Sequence, residues 1–226
     1  MLLFGRATWI PPIDFSILGD TIVKRLVLPL LLVSAFLVSG CSIVPLDEYR
    51  QSLKDASFDP QAYTENIWNT KLLPNLDDAV DIGVLYDLIA EDLQDARARY
   101  GRSIGLGNIY YYFLKGQGRV VTIESDQVGL TLGNSEDVDV YIKTGFIFGN
   151  TVRNATQLID VNDFPNSQDF NNISKEINRL ITDRVVPSFI AEVQEGMLVK
   201  FVGGTEIASD EDLYPMVVIP VHLQLQ

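Results

Sequence analysis

Lys24 and Arg25 stand directly before Leu26 to Cys41, an apolar stretch without a charged residue. The stretch closes with Leu37-Val38-Ser39-Gly40-Cys41. A positive start, an apolar middle and small residues at the end are the three parts of a secretory signal. Whatever folds into a globular body must therefore come from the residues that follow. As a permanent anchor, residues 26–44 could just span a bilayer. Pro29, Ser34, Ser39 and Gly40 weaken them as one continuous helix. A buried core helix is a poor fit, because no face of the segment is polar.

Cys41 is the only cysteine of the chain. Leu37, Val38, Ser39 and Gly40 before it resemble the lipobox of bacterial lipoproteins, which reads apolar, small, small, Cys. That resemblance implies cleavage before Cys41 and lipid on its thiol and new amine. It also implies a lipid anchor facing the periplasm. Ser42, standing where an aspartate would signal inner-membrane retention, favours the outer membrane. Met1 to Ile22 exceed what a signal needs and include Trp9, two prolines and two aspartates. Initiation at Val23 from an alternative start codon is expected, which would leave residues 1–22 untranslated.

The chain has 17 Lys and Arg against 30 Asp and Glu, a net charge of −13. Removing residues 1–40 takes away Arg6, Lys24 and Arg25 but just Asp14 and Asp20, so the exported part is more acidic still. Such a chain lacks the basic footprint of a nucleic-acid binder. Anionic headgroups would repel it, so lipid on Cys41 must supply the membrane attachment. With Cys41 modified, no disulfide is available and core burial must carry stability.

After a short tether over 41–45, the pattern becomes helical from Asp59. Asp59 reads as an N-cap with Pro60 in the first turn, and Pro74 should end the helix. A second helix is expected from about Ile82 to Tyr100, stopped by Gly101. Asp87, Glu91 and Asp95 recur at i+4 on it. They are weighed as a cation site, but even spacing on a polar face more often marks solvated surface. From Ile104 the texture turns to strands. Ile109–Lys115 and Arg119–Glu124 read as a hairpin joined at Gly116-Gln117-Gly118. Strands are expected at Gln127–Leu132 and Val138–Phe148, a helix at Ser167–Thr182, and strands at Leu198–Val202 and Met216–Gln226. In the last, Val217, Ile219, Val221, Leu223 and Leu225 alternate with Val218, Pro220, His222, Gln224 and Gln226. Pro220 marks an edge or a bulge.

His222 is the only histidine. With Cys41 occupied it has no partner for a zinc site, and no nucleophile elbow accompanies it. A pair of carboxylates could still perform acid–base work. No catalytic residue, metal or cofactor is expected, and the chain reads as a non-enzyme. The densest cluster of turn and amide residues is Gly145, Gly149, Asn150, Thr151 and Arg153, followed by Asp163 and Asn166. Such groups cap turns and bond backbone, and they are also what a small polar ligand needs. Gly149 would turn the chain after a strand and set Asn150, Thr151 and Arg153 at one rim. An internal ion pair between Arg153 and Asp163 is the favoured reading of the arginine; contact with a ligand is the alternative.

Several short motifs occur here in order: Lys71-Leu72-Leu73-Pro74, Ala79-Val80-Asp81, Tyr100-Gly101 and Lys115-Gly116-Gln117-Gly118-Arg119-Val120. They continue through Gly145, Gly149, Thr151 and Arg153, Asp163-Phe164 with Asn166, and Ile219-Pro220-Val221. Across residues 41–226 this resembles the DUF2291 family of predicted bacterial periplasmic lipoproteins. Two positions depart from the family pattern: Asn154, where an aspartate is usual, and Ser167, where a glutamine is usual. The resemblance implies an α+β chain, with a small helical domain over 46–103 and an OB-like β-barrel domain over 104–226. The barrel would carry an inserted helix at about 167–183. It also implies association with sugar ABC-uptake systems, so a sugar or transport components are expected partners. The leading function is a non-enzymatic binding or accessory module. The alternative is a carboxylate-dependent hydrolase acting on carbohydrate. Three acyl chains on Cys41, at about 0.8 kcal/mol per buried methylene, would anchor far more firmly than one. Cys41→Ser should accumulate as an unlipidated precursor, and radiolabelled fatty acid should no longer enter the protein.

Overall fold

The computed structural model describes residues 45–46, 58–104, 107–164 and 166–226. The expected signal segment and the expected lipidation site, Cys41, lie outside them. Phe58–Gln226 forms one compact unit. Helix α1 spans Pro60–Ile67 and runs into a π-turn, Trp68–Leu72, and a 3-10 turn, Leu73–Asp78. Strand β1 (Val80–Asp81) leads into α2 (Ile82–Glu91) and α3 (Leu93–Tyr100). Strands β2 (Tyr110–Ile123), β3 (Gln127–Thr131) and β4 (Val140–Lys143) follow. Helices α4 (Thr151–Thr156), α5 (Ser167–Leu180) and α6 (Val186–Glu192) separate them from β5 (Leu198–Ile207) and β6 (Met216–Leu225).

Local chemistry explains the helix ends. Asp59 accepts from the backbone N–H of Gln61 and Ala62, with Pro60 in the first turn. That relieves orphan donors at the start of α1. Asp81 caps α2 in the same way. The single helix expected over 82–100 is instead two. Asp92 adopts an extended backbone (φ −155°, ψ 102°) and caps α3 through Gln94 and Asp95. Aspartate favours this because its short carboxylate competes for backbone N–H groups. The break removes Asp95 from the i+4 row, and Asp95 pairs with Arg99 at 2.8 Å. Among the described residues, no three His, Cys, Asp or Glu side chains gather as a metal would require.

The sheet order is β1-β2-β3-β4-β6-β5, and β2 also pairs with β5. The pairings β2–β3–β4–β6–β5 therefore return to β2. All are antiparallel except β4–β6. Short β4 and the appended β1, parallel to β2, keep the sheet from being a clear barrel. The architecture is mixed helix and sheet, with a helical insertion between β4 and β5.

Two cores lie on opposite faces. One gathers Tyr112, Leu114, Val120, Leu130, Ile142, Phe201 and Met216 with Ile82, Leu85 and Ile89 of α2 and Ala96 of α3. The other packs Ile67, Trp68, Phe170, Ile173, Ile177 and Leu180 with Val221, and Phe113, Val202 and Ile219 border it. The helices at 60–100 thus bury their apolar faces in the same cores as the strands, rather than closing a core of their own.

Three strand expectations are corrected. Residues 109–124 form no hairpin. Gly116-Gln117-Gly118 lies within β2, which pairs with β5 continuously from Tyr110 to Arg119. A Cβ at Gly116 would stand 2.7 Å from Ile82 Cγ2 and 2.8 Å from Phe201 Cζ. At Gly118 it would meet the Thr131 carbonyl oxygen at 2.9 Å. These glycines admit neighbours rather than turn the chain. The strand expected over Val138–Phe148 holds its pairing just over Val140–Lys143. In β6, Val217 is exposed while Val218 and Pro220 are buried, and a register shift falls opposite Val202/Gly203. The extra residue, Val221, inverts the alternation beyond it, as a bulge does: Ile219 and Val221 face the second core, while Leu223 and Leu225 pack against the first. Gly118→Ala should lower stability by about 1–3 kcal/mol through overpacking between β2 and β3. A urea unfolding curve reads this; a solvent-facing turn glycine would give almost no change.

Candidate functional site

After β4 the chain leaves the sheet. The Gly145 N–H donates to the Asp126 carbonyl at 2.8 Å. Phe146 and Phe148 then point outward, 80% and 71% exposed, while Ile147 between them is buried. The two exposed rings stack, centroids 5.7 Å apart at 24°. Gly149 follows with φ +88°, a left-handed conformation that glycine adopts without a Cβ penalty. Asn150 precedes α4, which is buried from Thr151 to Ala155. Gly204 of β5 makes that depth possible. A Cβ there would lie 3.2 Å from Val152 Cα and Ala155 Cβ.

Facing Phe146–Asn150 is one side of α5. Its apolar side, with Phe170, Ile173, Ile177 and Leu180, enters the second core. Asn171, Ser174 and Asn178 lie on another side, at i, i+3 and i+7, with Thr182 continuing the line. This spacing keeps them on one helix face. Together the two segments enclose a groove of about 600 Å³. Asn178 ties its walls, donating through Nδ2 to the Gly149 carbonyl at 3.1 Å. The buried Ser174 hydroxyl, beneath the groove wall, finds no hydrogen-bond partner among the described residues. Lys175 and Arg179 also border it, and Arg179 reaches Glu176 at 2.7 Å and Asp183 at 3.2 Å. The site thus combines an aromatic wall with amides and hydroxyls; Arg179 is matched by Glu176 and Asp183, and Lys175 donates to Asn172 Oδ1 at 3.3 Å.

The expected cluster does not assemble in one place. Gly149 and Asn150 border the groove. Thr151 is buried and its hydroxyl donates to Glu206 Oε2 at 3.3 Å. Asn166 caps α5, its side-chain oxygen accepting the Asp169 N–H at 2.9 Å. Asp163 ends a 3-10 turn, Val161–Asp163, and it is not the partner of Arg153. The arginine is buried and donates through Nε to Asn154 Oδ1 at 3.1 Å. Its Nη1 reaches the Phe170 carbonyl at 3.1 Å and Asn171 Oδ1 at 3.3 Å. The guanidinium carbon also sits 3.7 Å over the Phe170 ring centroid. Neutral oxygens and a ring face replace the expected ion pair, and burial pulls the Arg153 pKa down to about 10. Arg153 borders a separate cavity of about 410 Å³, not the groove. His222 is exposed on β6, opposite Val202.

Sequence reasoning missed the polar side of α5. Its signal was present: Asn171, Ser174 and Asn178 interleave with the apolar Phe170, Ile173 and Ile177 at the same helical period. It also read Phe146 and Phe148 as strand residues. Their exposure follows from β4 ending at Lys143.

Comparison with known proteins bears on these observations. A crystal structure of an OB-fold protein from Thermotoga maritima superposes with a TM-score of 0.68 and 28% identity. The match covers 75% of this chain and 99% of that one. No curated protein shows a significant match. The family described as predicted periplasmic lipoprotein (DUF2291) matches residues 31–224, most of the chain. The chain belongs to the DUF2291 family of predicted periplasmic lipoproteins.

Proposed function

We propose that this lipoprotein is a non-enzymatic binding module whose groove beside Phe146 and Phe148 takes an uncharged, polyhydroxylated ligand of the sugar class. The observation that carries the reading is the exposed, stacked aromatic pair opposite the amide and hydroxyl row of α5. Rings held in water at 80% and 71% exposure contribute nothing to the core. They offer an apolar platform for the C–H face of a sugar ring. Asn171, Asn178 and Thr182 supply donors and acceptors for its hydroxyls. Asp183, the carboxylate bordering the groove, is engaged by Arg179, so the groove favours binding over hydrolysis.

In this reading lipid on Cys41 holds the module at a membrane facing the periplasm. Ser42 supports the outer membrane, and sugar recognition suits an accessory of an ABC-uptake system. The test is thermal unfolding of the full chain in detergent against a panel of monosaccharides and disaccharides. A sugar at a hundred times its Kd should stabilise the fold by about 2.7 kcal/mol. The double variant Phe146→Ala/Phe148→Ala should unfold close to wild type and lose the sugar response. A panel without any saturable shift, or a double variant that responds like wild type, would refute the groove.

A further inference from the structure

We propose that the cavity under Arg153 is a second site, distinct from the groove, which binds a small monocarboxylate. The argument begins with charge. Arg99, Arg179 and Arg184 all pair with carboxylates although each is far more exposed. Arg153 is 5% exposed and has no carboxylate within ion-pair distance among the described residues. The chain is rich in acids, so this is not a shortage of partners. A buried cation is costly unless it is paired. Here Asn154, Asn171 and the Phe170 carbonyl hold three hydrogen bonds, and each is neutral. The Nη2 nitrogen makes no hydrogen bond to any described residue. The lowered pKa of Arg153 reflects the same poorly solvated charge.

The cavity beside it gives that charge access to a ligand. Its volume of about 410 Å³ is within the range of small-molecule sites. Ser103 and Gln157 border it with polar groups, and Ile159 and Phe170 with apolar ones. Gln157 follows α4 in a left-handed conformation, φ +49°, which is uncommon for a residue with a Cβ. The guanidinium is already fixed by its three hydrogen bonds and by stacking on Phe170, so a ligand would not have to order it.

Charge counting selects the ligand class. One uncompensated positive charge balances one negative charge. Asp160 also borders the cavity, with Oδ1 accepting from Asn162 N and Nδ2 at 2.8 Å each. Asp160 repels any anion, but a dianion such as phosphate about twice as strongly as a monocarboxylate, whose single charge matches that of Arg153. Guanidinium and carboxylate are also matched in shape.

The probes are sodium acetate and sodium lactate, titrated into the full chain in detergent at constant ionic strength against sodium chloride and sodium phosphate. Thermal unfolding should show a saturable upward shift with a carboxylate that chloride and phosphate do not give. Asn154→Asp would place a carboxylate beside Nε and satisfy the cation from within. That variant should melt above wild type without ligand and bind the carboxylate at least tenfold more weakly. Hydrogen exchange on wild type adds a readout independent of any variant: residues 151–160 should gain protection in acetate and none in chloride. Phe146→Ala/Phe148→Ala should leave the carboxylate response unchanged, which separates this site from the groove. A response to chloride or phosphate as strong as to both carboxylates would overturn the proposal. So would unchanged exchange over 151–160, or a folded Asn154→Asp that binds as wild type does.

Discussion

Strand β2 is hydrogen-bonded along both edges, and the placement of nearly every other element depends on it. From Tyr110 to Arg119 it pairs with β5, and from Arg119 to Ile123 with β3. β1 joins at Leu114 and Lys115. Successive side chains of a strand point to opposite faces of the sheet, and both faces of β2 are covered. Tyr112 and Leu114 enter one core, while Phe113 between them borders the other. That alternation lets one sheet support the α2–α3 helices on one face and the α1, α4 and α5 helices on the other. It also explains Gly116 and Gly118. Side chains there would collide with Phe201 and the β3 backbone, and the double pairing would open.

The same glycines show where sequence reading stops. Gly-Gln-Gly flanked by alternating residues has the local signature of a hairpin turn. What separates a turn from a strand of close approach is the bulk of Phe201 and Leu130, which lie far along the chain. Features set by local spacing were legible: the cap at Asp59, Pro60 in the first turn, and the helical spacing of α5. The bulge in β6 was half legible. Pro220 announced an irregularity, but its position depends on the β5 partner. The partner of Arg153 was not legible at all. An acidic residue nearby in sequence was the natural expectation, and α5 brought Phe170 and Asn171 there instead.

Helix α4 sets the relation between the groove and the Arg153 cavity. It is just six residues long, too short to be stable alone, and it owes its position to β5, where Gly204 lets it lie close. Its start meets the groove through Gly149 and Asn150. Its own Arg153 opens to the other cavity, which Gln157 just beyond its end also borders. The helix α5 borders both: Asn178 bonds the Gly149 carbonyl, and Asn171 and the Phe170 carbonyl hold the guanidinium. The Gly145–Arg153 stretch is thus a single structural seam whose polar groups divide between two surfaces.

That division has an energetic logic. Stability in a fold without a disulfide comes from apolar burial and satisfied polar groups. Against that background, four features run the other way: two solvated phenylalanines, a buried serine hydroxyl without a partner and a buried arginine without a counterion among the described residues, and a glutamine in a left-handed conformation. Each is unfavourable for folding. All four lie in the two wall systems that α4 and α5 share, although unpartnered buried polar atoms also occur outside them, at Tyr112 in the first core and at Thr64 and Arg97. Several local violations of folding rules meeting in one seam are what the proposed sites would require. Strand β5, paired with β2 and β6 along its two edges, supports α4 beneath that seam.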